Sequence, residues 1–466
     1  MSMNKLVCAV LVALAGAAHA GGVYLPFRGV RATGRGGALV AGADDAEALW
    51  DNPAGLAALA GGPESVQLLV DAAYVGHDLT YTRIDSGGNK LAPVSSDPQI
   101  LPLPTLAAEF DLGSRLALGV GLLAPYSALD GFPAAGPQRY ALVDIHHTVL
   151  AVVEAAVAWR VSDQLSIGAG IQDMVVHFSA RTVFSACPSE IPCAPEDPEF
   201  DALGEIAGTS LFNPSAVLGA QLHATPWLTL GAAVQLPISI TTGGTVKVRL
   251  PSSGFYNGAS VSGDQADLST TFPAMVRAGV EVAPSPRLRV EAGVDYELWS
   301  EQKSIDVRPH DVHVENAAGV GTYDIGPITI LRDFDDTLAL RLGVEAQPAA
   351  GLPLTLRAGF VHESGASTPA NLSVFTVDTS KNALTVGVGW TAGRVRLDAT
   401  YAHVFMSDGN VPAGTSCQPQ VNPIRTGQGT TPGACVHDGD PSRVYVGDGT
   451  YVSAWNVVGA GVAVGF

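Results

Sequence analysis

RLRVEAGVDY, from Arg287 to Tyr296, is the segment that decides how this chain folds. Leu288, Val290, Ala292, Val294 and Tyr296 alternate with Arg289, Glu291 and Asp295, so one face is uncharged and the other carries both signs. Side chains along a strand alternate with period two, which makes this a β-strand lying between an apolar medium and a polar one. RVRLDATY (Arg394–Tyr401) repeats the pattern, with Val395, Leu397, Ala399 and Tyr401 opposite Arg396, Asp398 and Thr400. In LALRLGVE, Leu338, Leu340, Leu342 and Val344 oppose Arg341 and Glu345; in LTLRAGF, Leu354, Leu356 and Phe360 oppose Thr355 and Arg357.

A sandwich with a dry core would show this alternation, and so would a barrel with lipid outside and a polar lumen. The connections separate the two. Strands are expected near 64–83, 100–112, 114–125, 147–161, 164–181, 211–225, 227–241, 266–284, 287–302, 336–347, 354–364, 381–392, 394–406 and 450–466, fourteen in all. Tight turns such as Gly113-Ser114, Ser162-Asp163 and Ala392-Gly393 alternate with long loops near 84–99, 126–146, 182–210, 242–265, 303–335, 365–380 and 407–449. Short turns at one end, long loops at the other and an even strand count describe an outer-membrane β-barrel. A sandwich has no reason to sort its loops by length. Mean hydropathy is positive at +0.24, yet beyond the amino terminus no apolar run reaches the roughly 18 residues of a helical span.

Energetics assign the faces. A Lys or Arg facing lipid near the bilayer midplane costs about 2–4 kcal/mol. Arg289, Arg341, Arg357 and Arg396 therefore belong in the lumen, where Glu291, Asp295, Glu345 and Asp398 can pair with them and brace the wall. The closing segment, Trp455 to Phe466, alternates back from a terminal Phe. That ending resembles the signal read by barrel-assembly machinery, and pairing of the last strand with the first would leave no exposed edge.

Residues 1–20 read as a secretory signal peptide: Lys5, a short apolar run and Ala18-His19-Ala20 as cleavage site. With Cys8 removed, four cysteines remain, in two local pairs, Cys187 with Cys193 and Cys417 with Cys435. An even count in an exported chain suggests disulfides that staple loops, and no His stands at a metal-ligand spacing from either pair. The formal charge of −19 disfavours nucleic acid, whose phosphates would be repelled. The acidic runs Glu196-Asp197-Pro198-Glu199 and Asp333-Phe334-Asp335-Asp336 are either solvated or calcium-binding.

Residues 21–63 are too irregular to be wall, and their small side chains suit a plug packed inside the cylinder. Here the chain resembles a known family. GRGGALVAGADDAEALWDNPAGL (Gly34–Leu56) looks like the amino-terminal hatch of the FadL/TodX (OmpP1-like) family. GVGLLAPYSALDGFP with QRYAL (Gly119–Leu142), DYELWS (Asp295–Ser300) and the stretch from Leu354 to Trp390 match in order and spacing. The resemblance implies a bacterial outer-membrane barrel, residues 64–466, plugged by the hatch at 21–63 behind the signal peptide at 1–20. It implies passive uptake of long-chain fatty acids or aromatic hydrocarbons, with capture in an apolar site and lateral release through a wall opening. It implies that Asn52, Pro53, Ala54 and Gly55 contact an inward kink in strand three, where the Asn52 amide would satisfy stranded backbone groups. Gly119, Gly121 and Pro125 are the candidate kink, since strand glycines mark bulges or close approach.

Tyr24, Leu25 and Phe27 are candidate ligand lining. Burial is worth roughly 0.8 kcal/mol per methylene, so a sixteen-carbon chain gains about 12 kcal/mol in an apolar site. A monomer embedded in lipid and lipopolysaccharide, with neither cofactor nor metal, is the expected form. The alternatives are a general diffusion porin and an outer-membrane hydrolase. No G-x-S-x-G occurs, and His146-His147 reads as a loop or interfacial pair. The chain is not expected to be an enzyme.

Overall fold

The computed structural model describes residues 28–85, 87–97, 101–126, 130–188, 193, 196–317, 321–424, 435, 437 and 444–466. The expected signal peptide and Tyr24, Leu25 and Phe27 lie outside the described residues.

Five strands come first: β1 (Val66–Arg83), β2 (Leu101–Asp111), β3 (Leu116–Leu123), β4 (Val149–Arg160) and β5 (Leu165–Ser185). The next five are each built of two segments. They are β6 (Asp201–Ser210 and Pro214–Thr225), β7 (Leu228–Gln235 and Ile238–Arg249), β8 (Gln265–Phe272 and Met275–Ser285), β9 (Leu288–Glu297 and Ser304–His310) and β10 (Ile328–Leu331 and Thr337–Ala346). Then follow β11 (Leu354–Glu363), β12 (Lys381–Ala392), β13 (Val395–Met406) and β14 (Gly449–Gly465). Each pairs antiparallel with its sequence neighbours, and β14 returns to β1 from Gln67↔Gly465 to Arg83↔Gly449. The result is a closed fourteen-stranded barrel. Closure satisfies the backbone within the wall, which hydrocarbon demands.

The alternation sorts the faces as the charges require. Leu342, Leu356, Leu384, Val386 and Leu397 are exposed on the outside, whereas Glu291, Arg341, Arg357 and Asp398 are buried inside. Trp159, Trp227 and Trp390 stand exposed near the short turns, and Tyr74, Tyr296 and Tyr401 further up the wall, as in the aromatic girdles that flank an apolar band.

Part of the wall is taller than the sequence indicates. Regions expected to be loops at 182–210, 242–265 and 303–335 instead continue the ladder through Ser185, Asp201–Ser210, Arg249, Ser304–His310 and Ile328–Leu331. Above the membrane no lipid imposes the apolar outer face, so these segments lack the alternation that reveals a strand. A small sheet of Ser260–Ser262, His313–Ala317 and Gly321–Asp324 lies among these extensions. Cys187–Cys193 and Cys417–Cys435 are disulfide-bonded in the long loops.

Residues 28–63 sit within the cylinder as two short helices, α1 (Val30–Gly34) and α2 (Ala48–Asp51), and a 3₁₀ turn, Pro53–Ala58. Ala32, Leu39, Ala43, Ala46, Leu49 and Leu56 are fully buried against the inner wall. Val386, 55 % exposed at the middle of β12, tests the outer face. Val386→Arg is expected to lower stability in lipid vesicles by about 2–4 kcal/mol by urea unfolding; a change below about 0.5 kcal/mol, the size typical of an ordinary surface substitution, contradicts a lipid-facing position.

Candidate functional site

Charge inside the barrel fastens the hatch to the wall. Glu291, fully buried, accepts from the amides of Val40, Ala41 and Gly42 at 2.7, 2.8 and 2.9 Å. It shares the guanidinium of Arg35 with Glu281. Arg31 of the hatch reaches Asp44, Asp45 and Glu345. Arg289 spans Asp44 and Glu281, and Arg396 spans Asp45 and Asp398. Arg357 ties Glu345 to Asp398, and Arg341 pairs with Asp295 while donating to the carbonyl of Gly36. Six of the eight wall residues singled out from the sequence are thus brought into one ion network with Glu281, Arg341–Asp295 stands beside it as a pair fastened to Gly36, and hatch residues Arg31, Arg35, Asp44 and Asp45 complete the network. Sequence reasoning treated the network as wall bracing and missed these four, because nothing in the sequence shows which carboxylates the hatch cations meet.

The Asn-Pro-Ala-Gly turn seats elsewhere than the resemblance implies. The Asn52 side-chain amide donates to the carbonyls of Val40 at 2.8 Å and Ala220, on β6, at 3.0 Å, and its oxygen accepts from Ala54 N. Gly168 and Gly219 lack the Cβ that would strike Pro53 and Asn52, so Asn52 and Pro53 lie flat on β5 and β6, and the 3₁₀ turn that follows reaches β3 through Leu56. Gly119 and Gly121 are likewise not at a kink. Both lie in unbroken register with β2 and β4, and a Cβ on either would strike Leu49 or Leu56 of the hatch. β3 stops only at Leu123; beyond it Leu101–Pro104 of β2 and Val149–Ala151 of β4 have no β3 partner. The departure comes at Ala124-Pro125, where the chain turns inward. Tyr126 is buried with its ring 4.5 Å from Phe272 across the lumen and 6.5 Å from Trp50. A small cavity between Val30, Asp71, Leu103 and Ala124 lies behind that turn.

Above the hatch the lumen becomes apolar. Trp50, Tyr126, Met174, Phe272 and Trp299 form a floor. Over it lies a cavity walled by Leu150, Val176, Phe178, Ile240, Leu268 and Phe375. A second chamber, nearer the loops, shares Phe178, Ile305 and Phe375 and adds Leu142, Phe184 and Val446. One charge lines the lower cavity: Arg332, 3 % exposed, between the two segments of β10. Its guanidinium donates to Thr376 Oγ1, lies 4.3 Å from the ring centroid of Phe375, and leaves Nε without a partner. Burial pushes its pKa down to about 9, and no carboxylate among the described residues offsets that. A cation buried in an apolar chamber carries a desolvation cost that a hydrogen-bonded anion would offset.

If the network holds the hatch, Glu291→Ala strands three buried amides and leaves Arg35 with Glu281 as its one ion-pair partner. Breaking a buried pair of this kind costs about 3–5 kcal/mol. The variant is expected to expose residues 28–63 to hydrogen exchange and raise ionic conductance in planar bilayers, with the barrel still folded. Unchanged exchange and conductance contradict the clamp.

With this geometry in hand, the relatives can be placed. The structure is similar to that of a Pseudomonas aeruginosa FadL homologue, with a TM-score of 0.75 at 17 % identity over 96 % of this chain and 100 % of that one. It is similar to the Pseudomonas putida toluene transporter TodX, TM-score 0.60 at 14 % identity, covering 91 % of this chain and 94 % of that one. The Ralstonia pickettii toluene transporter TbuX aligns with TM-score 0.54 at 16 % identity, over 91 % and 94 %. At these identities the likeness is one of fold. No curated protein matches by sequence. The family model for outer membrane protein transport proteins (OMPP1/FadL/TodX) matches residues 11–428. A transmembrane barrel with its lumen plugged, matched by that model over most of its length, belongs to the OMPP1/FadL/TodX family of outer-membrane transport proteins.

Proposed function

We propose that this protein carries long-chain carboxylates, fatty acids in the first instance, through the outer membrane. The family transports hydrophobic compounds; the choice among them rests on Arg332. A neutral aromatic offers a buried guanidinium only a cation–π contact, which Phe375 already supplies, and leaving that charge without an anion has a continuing cost. A fatty acid supplies both the missing anion and a tail for Val176, Ile240, Leu268 and Phe375. Capture in the loop chamber, binding in the Arg332 cavity and release sideways, where β3 ends at Leu123 beside Leu103 and Ala124, form a route that skirts the hatch. Neutral aromatic hydrocarbons are the second reading, favoured by the relatives whose structures are named toluene transporters.

A general diffusion porin fits less well, because the hatch and the Trp50–Tyr126–Phe272 floor occupy the bore that its solutes would need. For a hydrolase, Asp144, His146 and Ser179 are the nearest arrangement: His146 Nδ1 lies 2.9 Å from Asp144 and Nε2 3.0 Å from Ser179 Oγ. Asp144 is also bound to Arg181, Ser179 is only 5 % exposed, and its amide bonds Thr148. Asp144 and His146 share one segment and are bonded across to Arg181 and Ser179 of β5, a set of wall polar pairs.

Arg332→Met retains volume and removes charge. Displacement of a fluorescent fatty acid from purified protein is expected to show affinity for palmitate falling about 10- to 100-fold, the worth of hydrogen bonds to a charged group. Affinity for butylbenzene is expected to stay within about threefold, since its contacts are apolar. Equal loss for both ligands, or tighter binding of butylbenzene than palmitate by the unaltered protein, returns the assignment to aromatic hydrocarbons.

A further inference from the structure

The wall has a second discontinuity, between β6 and β7. Below it the ladder runs to Val217↔Gln235, with a last bond from Leu236 N to Ala216 O at 2.9 Å. Above it the ladder resumes at Gly208↔Gly244 in the same register. Between them, residues 209–215 face 237–243 without a ladder pair. Two features of the sequence account for this. Pro214 has no N–H to give the facing strand. Asn213 turns the other way, its amide donating to Asp173 and its side chain to the carbonyl of Met174 on β5, each at 2.6 Å. Hydroxyls close the two ends where ladder bonds would be. Ser215 donates to Leu236 O at 2.8 Å, and Thr242 to Thr209 O at 2.7 Å.

The position of this slit matters. Phe212 lies ten residues up the strand from Leu222, about 25 Å for a tilted strand, which is the height of the apolar band. The slit therefore meets the outer-leaflet boundary. Its outer rim carries Leu211, Phe212 and Leu236, exposed by 68, 77 and 50 %. Its inner side is the Arg332 cavity, whose lining includes Gly208, Ile240 and Thr242. Unpaired backbone at membrane depth is tolerated where it borders a cavity, and here it does.

We propose that the β6–β7 slit is a lateral port, distinct from the end of β3, through which carboxylate amphiphiles pass between the outer leaflet and the Arg332 cavity. This rests on the binding reading of that cavity. Arg332 sits in the extracellular part of β10 while the slit opens at the boundary of the band. A fatty acid in the leaflet, head at the interface and tail in hydrocarbon, can therefore slide in without inverting or crossing water.

Leu211→Cys with Thr241→Cys staples the slit at facing positions on its outer rim, away from the cavity lining. Leu218→Cys with Val234→Cys staples a pair that is already laddered and serves as control. The protein in proteoliposomes is offered 11-(dansylamino)undecanoic acid either dissolved in the bilayer or added from water, and capture is read by dansyl emission. Expected is transfer from the bilayer slowed about fivefold or more by the first staple, restored on reduction, with capture from water and the control staple unchanged. Equal transfer from the bilayer with the first staple formed overturns the port. Absence of capture by either route in the unstapled protein overturns the binding reading instead.

Discussion

Everything in this molecule follows from one constraint: a closed strand ladder in lipid leaves charge nowhere to go but inward. Arg289, Arg341, Arg357 and Arg396, with their carboxylates, line a lumen too narrow to keep each one hydrated. The hatch answers that charge. Its own Arg31, Arg35, Asp44 and Asp45 alternate with those of the wall, and Glu291 takes three consecutive hatch amides. The plug is therefore part of the electrostatic structure of the barrel: the wall keeps pairs of its own, such as Arg341–Asp295 and Arg357–Asp398, but without the hatch Glu291 loses Arg35 and its three amides.

A plug held this way shapes what transport can be. With the lower lumen occupied and polar, a hydrophobic solute gains only in the apolar chambers above Trp50. Leaving them downward means crossing a dense ion network; leaving sideways means meeting lipid. Two of the places where the ladder lapses, beyond Leu123 on β3 and between β6 and β7, adjoin cavities. Chemistry and topology favour the wall.

Much of this was legible in the sequence, and the parts that were not share a cause. Period-two alternation at Arg287–Tyr296 or Arg394–Tyr401 is imposed by lipid, so it reads plainly wherever lipid touches the strand. It fails for Asp201–Ser210 and Ile328–Leu331, which rise beyond the bilayer. Gly119 and Gly121 carry the same signature whether they mark a bend or a seat for a neighbour, and only the position of Leu49 and Leu56 tells them apart. The Asn52 side chain bonds Val40 and, on the wall, Ala220, where Gly168 and Gly219 open space, and the sequence does not show which strand carries those glycines opposite it. Arg332 was unreadable. It precedes Asp333, Asp335 and Asp336, and its distinction is the lack of a countercharge in space.

The central claim is that ligand travels around a stationary hatch. Gly34 of the hatch and Gly387 on β12 face each other closely enough that an added Cβ on either would lie 3.1 or 3.0 Å from the other's Cα, so Gly34→Cys with Gly387→Cys can lock plug to wall. Uptake of labelled palmitate by cells carrying only the locked protein is the decisive measurement. The account requires uptake within about twofold of the unlocked protein, a stationary hatch being no rate-limiting gate; loss of uptake on locking, regained on reduction, would mean that the hatch moves to let the ligand through.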